Sequence, residues 1–308
     1  MILKDLFYLF VFPGFLFVAV LGLLVGWVDR KVSARFQFRV GPPLFQNFND
    51  FFKLLGKQTI IVKDSVKSLF IAAPLVAFGT LCLISTMLGM ALFFNSGYHG
   101  DLLVIMYLMM VFSVMLVLGG IATGNVFASI GAGREVKLLL ADELVFIFVC
   151  LIPIVKAGYS INLEEIIAAQ SDGVFIGSVS GVIGFLAGLL CIQAKMALRP
   201  FDIAEAETEI VEGPLMEYSG PLLAFWKLNQ HIMYVAYPMV LIILFMGGFN
   251  LQGLGILWAI LKYLLIVVLI IIIKNTNPRL QIDSALKFFW RILAPLAFIG
   301  LILAVLGV

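Results

Sequence analysis

Cysteine, histidine and charge are all scarce in this sequence, and each scarcity removes a class of function. The three cysteines, Cys82, Cys150 and Cys191, stand alone within apolar runs. Without CxxC spacing, disulfide, zinc and iron–sulfur readings lack a ligand set. The two histidines, His99 and His231, cannot supply the paired axial ligands of a multi-haem cytochrome. No GxGxxG or P-loop pattern occurs that would cradle a nucleotide. No redox centre or metal is therefore expected on this polypeptide, and no nucleic-acid partner.

What the chain has in abundance is apolar surface. Hydrophobic residues make up 63% of the 308 and charged residues 12%, with a mean hydropathy of +1.13. A soluble domain could not keep so much apolar surface from water, so the bilayer must be the solvent. A helix needs roughly 20 apolar residues to cross about 30 Å of hydrocarbon. Runs over 7–28, 68–94, 102–123, 142–159, 174–197, 222–247, 254–274 and 291–307 meet that need. They predict an all-α, polytopic membrane protein of about eight transmembrane helices. Without an internal repeat or linker, residues 1–308 read as one integral membrane domain. The first run is too long for a signal-peptide core and lacks a small-residue cleavage site, so it reads as a retained span. Pro74, Pro153 and Pro238 fall inside spans, where neighbouring helices can tolerate them.

Charge distribution sets the expected orientation. All Lys and Arg except Lys4, Lys156 and Lys262 lie in or beside four loops, 29–67, 124–141, 198–221 and 275–290. The positive-inside rule makes that face cytoplasmic, with both termini external and the chain in the cytoplasmic membrane. Lys262, inside the seventh span, is an ionisable functional candidate that could also snorkel, and Lys156 near an external helix end reads as snorkelling. In the first loop Leu44, Phe45, Phe48, Phe51, Phe52 and Leu55 recur as one helical stripe, with Gln46, Asn47, Asn49, Asp50, Lys53 and Lys57 opposite. Such a helix should lie in the interface plane, as a connector or as a docking platform for a peripheral partner.

The acids are harder to explain by topology. From Pro200 to Gly220 the chain carries Asp202, Glu205, Glu207, Glu209, Glu212 and Glu217 without one basic residue. Pro200 suits a first helical turn and Gly213–Pro214 a stop, which predicts a helix with Glu205, Glu209 and Glu212 on one face. Like charges at that spacing disfavour an isolated helix, and a solvated acidic helix is the plain alternative. Next to the bilayer, burial and mutual repulsion would raise some of their pKa values and permit proton exchange. Glu135, Asp142 and Glu143 form a second acidic group at the entrance to the fourth span, where an ionisable residue is a functional candidate.

The stretch PFDIAEAETEIVEG…EYSG resembles the signature of complex I subunit 1, known in bacteria as the H subunit. The resemblance covers nearly the whole chain. Asp29-Arg30-Lys31 with Arg35, Gln37, Arg39, Gly41 and Pro42 looks like the family motif after the first span, with Asp29 where Glu is usual. Asp50, Lys53 and Lys57 resemble its following helix. Arg134 and Glu143 keep a family spacing, and Pro278, Arg279, Asp283, Trp290 and Pro295 resemble the segment into the last span. The compact RVGPPLFQNF loop is closer to the membrane-anchor subunits of energy-converting group 4 [NiFe] hydrogenases and their sulfur-reducing relatives. Gln230 stands where the sixth span of quinone enzymes carries a glutamate, with Lys227 one turn earlier.

That resemblance implies a non-redox membrane component of a ferredoxin-dependent hydrogenase or sulfane reductase. It would anchor a peripheral redox arm and couple electron transfer to H⁺ or Na⁺ translocation. The implied partners are peripheral iron–sulfur and hydrogenase-like subunits, which hold iron–sulfur clusters and possibly a [NiFe] centre, and antiporter-like membrane subunits. Glu135, Asp142, Glu143, Asp202, Glu205, Glu207, Glu209, Glu212 and Glu217 are the expected relay. Arg30, Arg35, Arg39, Asp50, Lys53, Arg134, Arg279 and Asp283 are expected to pair charges or dock. A quinone-binding component of an NADH- or F420-type oxidoreductase is the second reading, and a stand-alone secondary transporter the third.

Overall fold

The computed structural model describes residues 2–94, 101–171 and 173–308, with side chains for all but residues 2–4, 101, 207 and 208. His99 thus lies outside the described residues, as does the side chain of Glu207. Every regular element among the described residues is helical: α1 Ile2–Phe10, α2 Phe15–Phe36, α3 Gln46–Leu55, α4 Lys67–Phe94, α5 Asp101–Ala122, α6 Val126–Lys156, α7 Leu163–Ala168 and α8 Val179–Lys195. A short turn of helix, α9 Glu207–Ile210, precedes α10 Gly220–Phe245 and α11 Gly255–Thr276. The last span runs from α12 Ile282–Phe288 through a π-helical turn, Phe289–Leu293, into α13 Ala294–Val305.

Seven of these segments are long and apolar enough to cross a bilayer, and α8, with 17 residues, is a shorter apolar helix. The expected set of about eight is therefore present, with shifted edges. Pro13 and Gly14 interrupt the first run, so α2 starts later than expected and reaches Phe36. The larger correction concerns 124–141, expected as a loop. Most of it belongs to α6, whose 31 residues span about 46 Å at 1.5 Å per residue. The Asn125 Oδ1 caps this helix, accepting from the Phe127 N–H at 2.8 Å. Arg134, Glu135 and Lys137 lower the hydropathy there without breaking the helix.

Helix α10 is the hub. Nearly all of its second half is buried, and it packs on α2, α3, α4, α8 and α11. By contrast α11 leaves Leu257, Trp258, Leu261 and Leu265 exposed, an apolar side suited to lipid or to another membrane protein.

The amphipathic helix is present as α3, but it is turned differently from expectation. Asn47, assigned to the solvent face, is buried. Its Nδ2 donates to the Leu23 carbonyl at 2.8 Å, and its Oδ1 accepts from Arg30 at 2.7 Å. Phe48 and Phe51 pack on the core while Phe45 and Phe52 remain exposed. A buried amide needs partners, and α2 supplies them.

Candidate functional site

The acidic loop between α8 and α10 is not the expected helix. Only Glu207–Ile210 is α-helical, and Val211, Glu212 and Gly213 follow at φ values of 55°, 56° and 52° in the left-handed region, leading into a 3-10 turn at Gly213–Leu215. Gly213 and Pro214 are wedged against α6. A Cβ on Gly131 would meet Pro214 Cδ at 2.7 Å and the Ala204 carbonyl oxygen at 2.9 Å. Close approach at that glycine lets the loop fold inward instead of standing out in solvent.

Folding inward disperses the acids instead of stacking them on one face. Asp202 pairs with Arg279 at 2.7 Å, and Glu209 with Arg134 at 2.6 Å. Glu217 accepts from Asn125 Nδ2 at 2.6 Å. Glu205 accepts from Gln230 Nε2 at 3.0 and 3.2 Å. Glu212 is half-buried in the left-handed region, and its charge still reaches Glu205. The ion pairs of Asp202 and Glu209 offset part of the repulsion that a regular helix would impose.

Glu205 stands at a boundary between two spaces. On one side is a cavity of about 560 Å³ on the loop face, lined by the end of α2, residues 37–42, Met196–Arg199, α10 and the end of α11. Its walls carry Arg30, Arg39, Arg199, Lys274 and Arg279 against Asp29, Asp202 and Glu205. Lys274 closes on Asp29 at 2.7 Å and donates to Tyr234 Oη at 3.3 Å. On the other side is a narrow cleft lined by Glu135, Lys195, Glu205, Trp226 and Gln230. Burial, reinforced by the charges of Asp202 and Glu212, pushes the Glu205 carboxyl up to about 7. The Lys227 charge and the Gln230 hydrogen bond oppose that rise without cancelling it.

Beyond the cleft lies a buried ionic cluster. Lys195, at the end of α8, places Nζ 2.9 Å from Asp142 Oδ2 and 2.7 Å from Glu143 Oε2, both on α6. Its ammonium also sits 4.7 Å from the Phe146 ring centroid. The Lys195 and Asp142 side chains are only 4% and 3% exposed, while Glu143 is 18% exposed, so solvent meets this cluster only along Glu143. Glu135, two turns before Asp142 on α6, is equally buried, and its Oε2 has no partner. The three acids stand out in the sequence, whereas Lys195 reads there as a topogenic loop charge. Its position at the end of an apolar run gives no sign that it turns inward.

The remaining expected residues sit nearer the surface. Arg30 pairs with Asp50 at 3.0 Å, and Gln46 donates to Asp50 at 2.8 Å. Arg39 is exposed at the cavity mouth, Arg35 borders a shallow groove with Lys31 and Phe36, and Lys53 is exposed. Asp283 lines a second groove with Arg134, Asp202, Glu209 and Arg279. Lys262 reaches back to the Met246 carbonyl at 2.6 Å, and Lys156 to Ser178, so both are engaged near helix ends. Among the described residues, no three His, Cys, Asp or Glu side chains converge as metal ligands.

Known proteins share this architecture. A family model described as NADH dehydrogenase matches residues 8–305. The chain belongs to the NADH dehydrogenase family. It is 32% identical over 315 residues to the H subunit of NADH-quinone oxidoreductase from Bacillus mycoides strain KBAB4, covering 96% of this chain and 94% of that protein. The same protein of Bacillus thuringiensis strain Al Hakam matches to the same extent. Among solved structures, a chain of the membrane-bound sulfane sulfur reductase, an archaeal respiratory membrane complex, superposes with a TM-score of 0.87. That match has 25% identity and covers 98% of this chain and 99% of the other. The protein is thus a multi-pass membrane component, of the H-subunit type, of a complex I-like oxidoreductase assembly.

Proposed function

We propose that this chain couples electron transfer in partner subunits to H⁺ or Na⁺ translocation, and anchors the peripheral redox arm on its loop face. The observation that carries the reading is the run of half-buried and buried acids leading inward from a polar cavity. Glu205 lies at the cavity floor, Glu135 across the cleft, and Asp142 and Glu143 beyond. Acids in such surroundings can exchange protons near neutral pH and respond to a charge change at the cavity mouth. In this reading the loop face is cytoplasmic, and the iron–sulfur clusters and any [NiFe] centre belong to partners. A ferredoxin-dependent hydrogenase or sulfane reductase is the favoured assembly. The likeness to the sulfane sulfur reductase chain and the glutamine at position 230 support it.

The test is Glu205→Gln or Glu143→Gln in the assembled complex. Ion transport should fall further than electron transfer in either variant. Equal loss of both, with the complex intact, would count against a relay. Glu209, salt-bridged at a half-exposed position, serves as the surface comparison. A quinone-binding role is the second reading, favoured by the names of the Bacillus relatives and by the cavity itself. The density of charge on its walls weighs against it, and copurified quinone or inhibition by quinone-site inhibitors would support it.

A further inference from the structure

Lys195 fills one seat and lines the cleft that holds a second acid. In the filled seat its ammonium lies between Asp142 and Glu143. The other is the cleft that the same side chain lines together with Glu135, whose Oε2 is buried and unpartnered. The Tyr237 hydroxyl, fully buried on α10, is likewise without a partner and lies within electrostatic reach of all four groups. Unsatisfied polar atoms on two elements around one buried cation are costly in a single fixed arrangement. A second arrangement, with the cation on Glu135, would satisfy the Glu135 oxygen.

We propose that Lys195 is a mobile positioning residue that moves between the Asp142/Glu143 seat and Glu135, and so gates proton transfer between them. The inference rests on the coupling role proposed above and adds the moving part. The proton balance closes within the cluster. With the ammonium at Asp142 and Glu143, a charge on Glu135 lacks a counter-ion, so Glu135 holds a proton. When the ammonium swings to Glu135, that carboxyl ionises and releases one proton. Asp142 and Glu143, now without their cation, take one up between them. No bond to lysine nitrogen forms or breaks, and one proton moves opposite to the lysine. Glu205 faces the cleft from the loop, and Tyr237 faces the cluster from α10, so either can pass or orient the proton.

The deciding experiment uses the whole complex, imaged in its oxidised and reduced forms, with ions carried per electron measured in vesicles. The expected result is Lys195 Nζ on Asp142 and Glu143 in one form and on Glu135 in the other. Lysine in the same seat in both forms, with water alone occupying the cleft, overturns the proposal. Lys195→Arg keeps the charge, but its planar fork can hold both acids at once. The cleft has room for about one water-sized group, enough for an ammonium and too little for a guanidinium. Proton transfer should therefore slow by about 10²-fold or more in this variant, the scale of losing a positioned proton-transfer group, and ions per electron should fall with it. A parent-like ratio there means a static counter-ion, which also overturns the proposal. Glu205→Gln separates the two levels of the claim. If it transports normally, the relay reading itself fails, whatever position Lys195 takes.

Discussion

Two ion pairs of similar geometry show how much position matters in this chain. Arg30 and Asp50 meet at 3.0 Å with side chains 44% and 46% exposed. Lys195 meets Asp142 at 2.9 Å with almost no exposure. Water screens the first pair, which also costs entropy to order the long arginine side chain, and such pairs contribute little. The second has lost its water. There the attraction is strong, but removing one partner strands a charge in a low-dielectric interior. Similar distances therefore mean a screened, weakly contributing pair on the loop face and a strongly coupled one in the bundle.

The largest effect that could break this contrast is that of Lys195→Met. It should destabilise the protein by about 3–5 kcal/mol, the usual cost of breaking a buried pair from one side. Thermal unfolding and yield of the assembled complex would measure it, and a loss near zero would mean that water reaches the cluster. An intermediate effect is expected at Glu205, which stands between the two regions. Its carboxyl titrates near 7, above the unfolded value of 4.5. Its contribution to stability is thus fully present below about 4.5 and is lost as pH rises through about 7. Glu205→Gln should flatten that part of the profile of melting temperature against pH. An unchanged slope would assign the pH dependence elsewhere. The smallest effect belongs to the surface pair. A double-mutant cycle of Arg30→Ala and Asp50→Ala should give a coupling of no more than about 1 kcal/mol, reduced further by salt. A larger coupling would show that a partner or lipid covers α3.

Much of the architecture was legible because the signals were long and periodic. The apolar runs gave the spans, and the aromatic spacing in 44–55 gave α3. What escaped was decided by contacts between distant segments. Arg134, Glu135 and Lys137 made 124–141 look like a loop, although Asn125 caps a helix that continues through them. The stretch from Pro200 read as a helix because its propensities are local. Contacts at Gly131, and salt bridges to Arg134 and Arg279, favour an inward loop instead. The acids of the site were visible as residue types out of place. Lys195 was not, because one lysine at the end of an apolar run looks the same whether it meets water or two carboxylates.

Helix α10 gives these separate sites a common mechanical fate. Gln230, Tyr234 and Tyr237 occupy successive turns of one face, spaced i, i+4 and i+7. The first holds Glu205, the second receives Lys274, and the third stands beside the Lys195 cluster. A rod with three such teeth behaves like a key in a lock. A small turn or slide of α10 would shift all three contacts in register, so a push at the cavity end would be felt at the far end without any signal passing from residue to residue.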